Sequence, residues 1–117
     1  MSEEPGRLTT HVLDTAAGKP AQGVRITVSR DGETLRDIVT NDDGRADGPL
    51  LAGAQFTPGV YELNFHVGDY FRSRGQGLDE PLFLDVVPVR FGISQAGQHY
   101  HVPLLISPFG YSTYRGS

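Results

Sequence analysis

Imidazoles are the side chains whose ordinary pKa lets them take and return a proton near neutral pH, and a neutral imidazole is also a common metal ligand. This 117-residue chain has four of them, at positions 11, 66, 99 and 101. His99 and His101 are two apart, so on a strand they share a face, with Cβ atoms about 7 Å apart. They open a C-terminal segment, His99 to Ser117, that also carries three tyrosines, Arg115 and a terminal serine. Chain ends usually fray, so an end this dense in hydrogen-bonding groups is suited to lining a site. His11, His99 and His101 with a water make one candidate set, because three imidazoles form a known zinc site. No carboxylate is evidently placed to orient them, so zinc is the lesser reading and a site without a metal or cofactor is the expectation.

The elements that must hold these residues are strands. Leu8, Thr10 and Val12 fall on one face of the first alternating segment, and Thr9, His11 and Leu13 on the other. In the penultimate segment Tyr100, Val102, Leu104 and Ile106 alternate, leaving His99, His101, Pro103 and Leu105 opposite. With the larger apolar sets turned to the core, His11, His99 and His101 look outward among Leu13, Pro103 and Leu105. That mixture is too apolar for a plain wetted surface and suits a pocket or a subunit interface.

The remaining segments complete the pattern. Val24 to Arg30 alternates strictly, and Asp31-Gly32 is the signal for a hairpin into a return strand from Thr34 to Thr40. Asn41 to Arg45 is a tight turn, in which Arg45 by itself reads as a solvated residue. Residues 46–59, with Pro49 and Pro58, read as irregular. Val60 to Val67 buries Tyr61, Leu63, Phe65 and Val67 and leaves His66 incidental. Asp69 to Arg74 is the one short helix, with Asp69 placed to cap it. Pro88 interrupts the strand from Leu84 to Ile93 and sends it to a sheet edge, since proline cannot donate to a ladder. Tyr111 to Arg115 ends the list with a last short strand. Seven or eight short strands and one helix predict an all-β sandwich, with residues 1–6 a loose start and 7–117 one domain.

Composition narrows the functions. Net charge is −4 and the ten Lys and Arg residues are scattered, which argues against nucleic acid or an anionic membrane as partner. No apolar stretch approaches the roughly 18 residues of a membrane span. Met1 to Arg7 is acidic and lacks the apolar region of a secretory signal, so the cytoplasm is the expected compartment. The absence of cysteine removes disulfides, thiolate metal sites and a cysteine nucleophile together. Gly110-Tyr-Ser-Thr-Tyr114 is not a nucleophile elbow, Asn41-Asp-Asp-Gly44 lacks the other ligands of a calcium loop, and no phosphate-cradling glycine loop is present.

Several short motifs, in order and at their spacing, resemble the transthyretin family. They are Leu8-Thr-Thr-His-Val-Leu-Asp-Thr15, Gly18-Lys-Pro20, Asp43-Gly-Arg45, Tyr61-Glu-Leu63, Gly68-Asp-Tyr-Phe71 and His99-Tyr-His-Val-Pro-Leu-Leu105. The closing Tyr114-Arg-Gly-Ser117 resembles the signature of the family's hydrolytic branch rather than of its thyroid-hormone carriers. The resemblance runs from about Leu8 to the last residue and is weakest over 46–59.

What the resemblance implies is a transthyretin-like (prealbumin-like) β-sandwich of two four-stranded sheets with one short helix, assembled as a homotetramer. Active sites would lie in the groove where two dimers meet. The implied reaction is hydrolysis of 5-hydroxyisourate to 2-oxo-4-hydroxy-4-carboxy-5-ureidoimidazoline in urate degradation. By position, the catalytic residues would be His11, Arg45, His101 and Ser117, with Tyr114, Arg115, Gly116 and His99 completing the substrate pocket. Two rivals are a ligand carrier like transthyretin and a non-catalytic sandwich module. The module leaves His11, the His-x-His pair and the tail unexplained, and a polar groove would penalise an apolar ligand.

Overall fold

Alternation in the sequence becomes a two-sheet sandwich in which the first and the penultimate strands lie side by side. The computed structural model describes residues 6–75 and 77–116. In chain order its elements are β1 (Arg7–Asp14), β2 (Lys19–Pro20), β3 (Arg25–Arg30), β4 (Glu33–Val39), β5 (Leu51–Ala52), β6 (Gly59–His66), α1 (Val67–Ser73), β7 (Val86–Ile93), β8 (His99–Ser107) and β9 (Gly110–Thr113). One sheet runs β2-β1-β8-β9, and the two-residue β5 pairs with the start of β1 as a fifth member. The other sheet runs β4-β3-β6-β7. The expected four-stranded pairs of sheets are therefore present, one of them enlarged by β5.

The register of β1 on β8 matters most for function. The two strands are parallel, with Arg7 opposite His99, Thr9 opposite His101 and His11 opposite Pro103. Parallel neighbours need a long crossover, and here the whole second sheet intervenes between them in sequence. One face of the pair is core: Leu8, Val12, Tyr100, Val102, Leu104 and Ile106 are buried. They meet Ile26, Val28, Tyr61, Leu63 and Phe65 of the second sheet in one continuous cluster.

The turns behave as their residues dictate. Asp31 and Gly32 both have positive φ, 52° and 79°, as a two-residue hairpin turn between β3 and β4 requires. β7 occupies a sheet edge, so Pro88 sits where the missing N–H is tolerated. Asp69 does not cap the helix as expected. The helix starts at Val67, with His66 in the capping position and no side-chain cap bond, and Asp69 sits in the first turn, bonded to Arg72 at 3.0 Å. The earlier start carries Val67, Tyr70 and Phe71 into the core at helical spacing. Residues 46–59 are less irregular than read, because β5 and a 3-10 turn (Gly53–Gln55) lie within them and Leu50, Leu51 and Phe56 join the core. Residues 1–5 lie outside the described residues, while Gly6 is buried against the carbonyl of Ala96.

One buried carboxylate ties the helix to β1. Asp14 is 1 % exposed, accepting the Tyr70 hydroxyl at 2.8 Å and the Ala17 N–H at 2.9 Å. Burial, and behind it the bond to Asp14, raises the Tyr70 pKa. Tyr70→Phe leaves one Asp14 oxygen without that donor and is expected to cost about 1–3 kcal/mol, read as a lower urea midpoint at unchanged slope.

Candidate functional site

The outward face of the β1–β8 pair gathers three of the histidines singled out by spacing, His11, His99 and His101. Leu8, Thr10 and Val12 turn inward, which leaves Thr9 and His11 on the face opposite the core, and β8 places His99 and His101 there likewise. All four are half-buried rather than open to water. The ring centroids of His99 and His101 are 6.1 Å apart.

Arg45 is brought to this face by the turn that follows β4. The Asn41 side-chain oxygen accepts the N–H groups of Asp43 (2.9 Å) and Arg45 (3.1 Å), closing the turn on itself. The turn then docks on β1, where the Val12 N–H donates to the Gly44 carbonyl at 2.8 Å. Gly44 has φ +76°, and a Cβ there would lie 2.3 Å from the Val12 carbonyl oxygen. Only glycine fits that approach. Asp43 and Arg45, on either side of it, are thereby held beside His11.

The electrostatics follow from this packing. Burial first, and then the Arg45 guanidinium, hold His11 below the ordinary imidazole value, against an opposing backbone hydrogen bond and charge from Asp43. His101 is lowered by burial, then by Arg45, and further by His99 and His11. Both shifts favour the neutral imidazole, the form able to accept a proton. Arg45 is a fixed cation within electrostatic reach of both, with a fork of donors suited to an oxygen-rich ligand.

The tail is anchored from two sides. Arg115 lies 3.9 Å over the Tyr100 ring and donates to Gln98 Oε1 (3.1 Å) and to the His99 carbonyl (3.4 Å). The Gly116 N–H donates to the His101 carbonyl at 2.7 Å. A Cβ on Gly116 would come within 2.7 Å of His101 Cδ2, so the imidazole packs on a surface that only glycine leaves free. Gly116→Ala should push this ring aside and lower kcat about tenfold, with the urea midpoint unchanged. Equal losses in kcat and stability would make Gly116 structural instead.

Of the residues expected in the pocket, the fold brings together His11, Arg45 and His101, with His99 and Gly116 flanking them. Tyr114 and Arg115 lie apart from this group in the single chain. Tyr114 is 60 % exposed, and both residues line a cavity at the edge between β7 and β9 with Phe91, Tyr100 and Val102. Ser117 lies outside the described residues. Among the described residues no group of three His, Cys, Asp or Glu side chains could hold a metal ion, so the three-histidine zinc arrangement is not formed. The sequence reading gave no part to Thr9. Its hydroxyl lies 2.6 Å from His99 Nε2 and 2.8 Å from His101 Nδ1. The available signal was its place two residues before His11 on the same face.

A profile described as the HIUase/Transthyretin family matches residues 8–116. The chain belongs to this family. Within the HIUase/Transthyretin family, it is 62% identical over 116 residues to 5-hydroxyisourate hydrolase 2 of Rhizobium meliloti (strain 1021), covering 96% of this chain and 97% of that protein. The structure of Klebsiella pneumoniae 5-hydroxyisourate hydrolase superposes with a TM-score of 0.84 at 38% identity, over 96% of this chain and 99% of that one. The crystal structure of (S)-allantoin synthase superposes with a TM-score of 0.92 at 49% identity. That match covers 99% of this chain but only 45% of the longer protein. The two-sheet sandwich with its short helix is thus the family's fold.

Proposed function

We propose that the protein hydrolyses 5-hydroxyisourate to 2-oxo-4-hydroxy-4-carboxy-5-ureidoimidazoline, a step of urate degradation. The observation that carries this reading is the grouping of half-buried His11 and His101 with exposed Arg45 on one face, where burial and the Arg45 charge lower both imidazoles. Extensive identity to relatives named for that activity supports the choice of substrate.

The residues present suit the reaction. The substrate is a flat, polar, partly anionic ring with an acyl C–N bond to open. His11 and His101 share the proton transfers, one relieving the attacking water and the other supplying the leaving nitrogen. Arg45 holds a substrate oxygen and stabilises the charge that develops as water adds to the carbonyl. Ser117 positions substrate or water through its hydroxyl, and Arg115 fixes the tail that carries it. Tyr114, Gly116 and His99 complete the enclosure. No step calls for a metal or organic cofactor.

The functional unit is a homotetramer with sites in the groove between dimers. Supporting this are the half-buried Leu13 and Leu105 beside the histidines, and a second apolar surface where Phe83 and Phe109, 72 % and 71 % exposed, lie 6.2 Å apart. Among the described residues no helix is long and apolar enough to cross a membrane, in keeping with a cytoplasmic enzyme.

Isotope tracing tests the reaction type. In heavy-oxygen water, hydrolysis of the acyl C–N bond places one labelled oxygen in the new carboxylate of the product. Consumption of substrate without label in that carboxylate would rule the mechanism out.

A further inference from the structure

Thr9 belongs to this face yet has no part in the reaction as described. It stands opposite His101 in the parallel ladder, and its hydroxyl bridges His101 Nδ1 and His99 Nε2 at 2.8 and 2.6 Å. A hydroxyl has one proton to give. It cannot donate to both rings, so at least one imidazole donates to it. Whenever one ring nitrogen accepts the Thr9 proton, the other must carry a proton and donate to Thr9, so the two nitrogens are coupled.

We propose that His99, Thr9 and His101 form a proton relay in which Thr9, as a positioning residue, couples the two imidazole tautomers so that His101 accepts the proton of the attacking water and releases it again, to His11, within one turnover. This rests on the hydrolase reading of the same site. In the base form, His101 donates from Nδ1 to Thr9, Thr9 donates to His99 Nε2, and His101 Nε2 is a free lone pair. Nε2 then takes a proton from the attacking water, whose remaining hydroxyl adds to the acyl carbon. As it does so, the Nδ1 proton passes to Thr9 Oγ1 and the original Thr9 hydroxyl proton passes to His99 Nε2.

One O–H bond of water has broken, one N–H bond has formed at Nε2, and the positive charge has moved to His99. Reversal returns the Nδ1 proton while Nε2 releases its own to neutral His11, which passes it to the leaving nitrogen, so no proton is gained or lost over the cycle. The arrangement suits the surroundings of His101. Burial, Arg45, His11 and His99 all oppose a charge on that ring, and the relay moves the charge to a ring 6.1 Å away.

Two readouts test the relay. Long-range nitrogen–proton NMR of the free protein reports which nitrogen of each imidazole carries the proton, whether or not the protein turns over any substrate. Thr9→Val keeps the β-branched shape that suits a strand and removes the hydroxyl, while Thr9→Ser restores it. Thr9→Val should change the pattern at both His99 and His101, and Thr9→Ser should return it. With 5-hydroxyisourate, Thr9→Val should lower kcat about tenfold or more at nearly constant KM, with most of the loss recovered by Thr9→Ser.

An unchanged NMR pattern in Thr9→Val, a kcat within about twofold of the parent, or a loss confined to KM overturns the relay. None of these touches the hydrolase reading, which falls only if the parent protein fails to consume the substrate. Should Thr9→Val not fold, His99→Asn removes the far end of the relay and leaves Thr9 in place. The same drop in kcat with an altered His101 pattern then supports the relay, and an unaltered kcat overturns it.

Discussion

His101→Asn lowers kcat for 5-hydroxyisourate by about 10²- to 10⁴-fold near neutral pH, the usual worth of a positioned general acid or base. The side chain sits where three influences meet. The β1–β8 register sets its backbone beside Thr9, the Thr9 hydroxyl fixes Nδ1, and Gly116 lies against the ring edge. Asparagine can accept one hydrogen bond in this space, but it takes no proton at neutral pH. The loss therefore falls on kcat, with KM little altered and the fold unchanged by circular dichroism. His11→Asn is expected to behave alike but not additively, since the proposed reaction gives the two imidazoles successive proton transfers. Steady-state rates of the two single variants and the double variant check this. A His101→Asn enzyme within about tenfold of the parent would remove His101 from the chemistry.

Arg45→Ala lowers kcat/KM by about 10²- to 10³-fold, and it also moves the pH profile. In the proposed reaction the guanidinium presents donors to an oxygen of the substrate; in the structure its charge helps hold His11 and His101 below the ordinary imidazole value. Its removal leaves burial as the main lowering influence, so both pKa values rise. A base must be deprotonated to act, and the acid limb of kcat/KM therefore shifts to higher pH in the variant. Arg45→Lys separates the two effects. The retained charge should keep the acid limb near its parental position, while loss of the planar fork leaves much of the rate deficit in place. An Arg45→Ala profile with an unmoved or lower acid limb would contradict the electrostatic part of the account.

What the sequence discloses about this molecule follows the range of the interactions involved. Alternation in β1, β3, β6 and β8 is a local property, and it foretells which side chains are buried on each, except that Pro103, expected on the outward face of β8, is buried as well. The Asp31-Gly32 turn and the edge placement of Pro88 are local too. The helix boundary is not, because burial of Val67, Tyr70 and Phe71 draws the helix two residues earlier than a capping aspartate at position 69 suggests. In 46–59, Leu50, Leu51 and Phe56 are anchored by distant partners that no short window contains.

The site divides in the same way. His11, His99 and His101 could be placed on outward faces from period-2 spacing alone. That Thr9 bridges two of those rings depends on the parallel register of strands some ninety residues apart, about which strand periodicity is silent. Arg45 looked like an ordinary turn residue until the docking of Gly44 on Val12 gave it a position. Its role came from family resemblance rather than from spacing. Tyr114 and Arg115, adjacent in sequence to Gly116, stand apart from the imidazoles because Arg115 folds over the inward-facing Tyr100.

The central claim is that this face hydrolyses 5-hydroxyisourate without a metal. The most direct measurement generates 5-hydroxyisourate from urate with urate oxidase, adds the purified protein, and follows the absorbance decay with and without a chelator. The account predicts a decay accelerated in proportion to protein concentration and unaffected by the chelator. No acceleration from a folded sample, or an acceleration that the chelator abolishes, would contradict it.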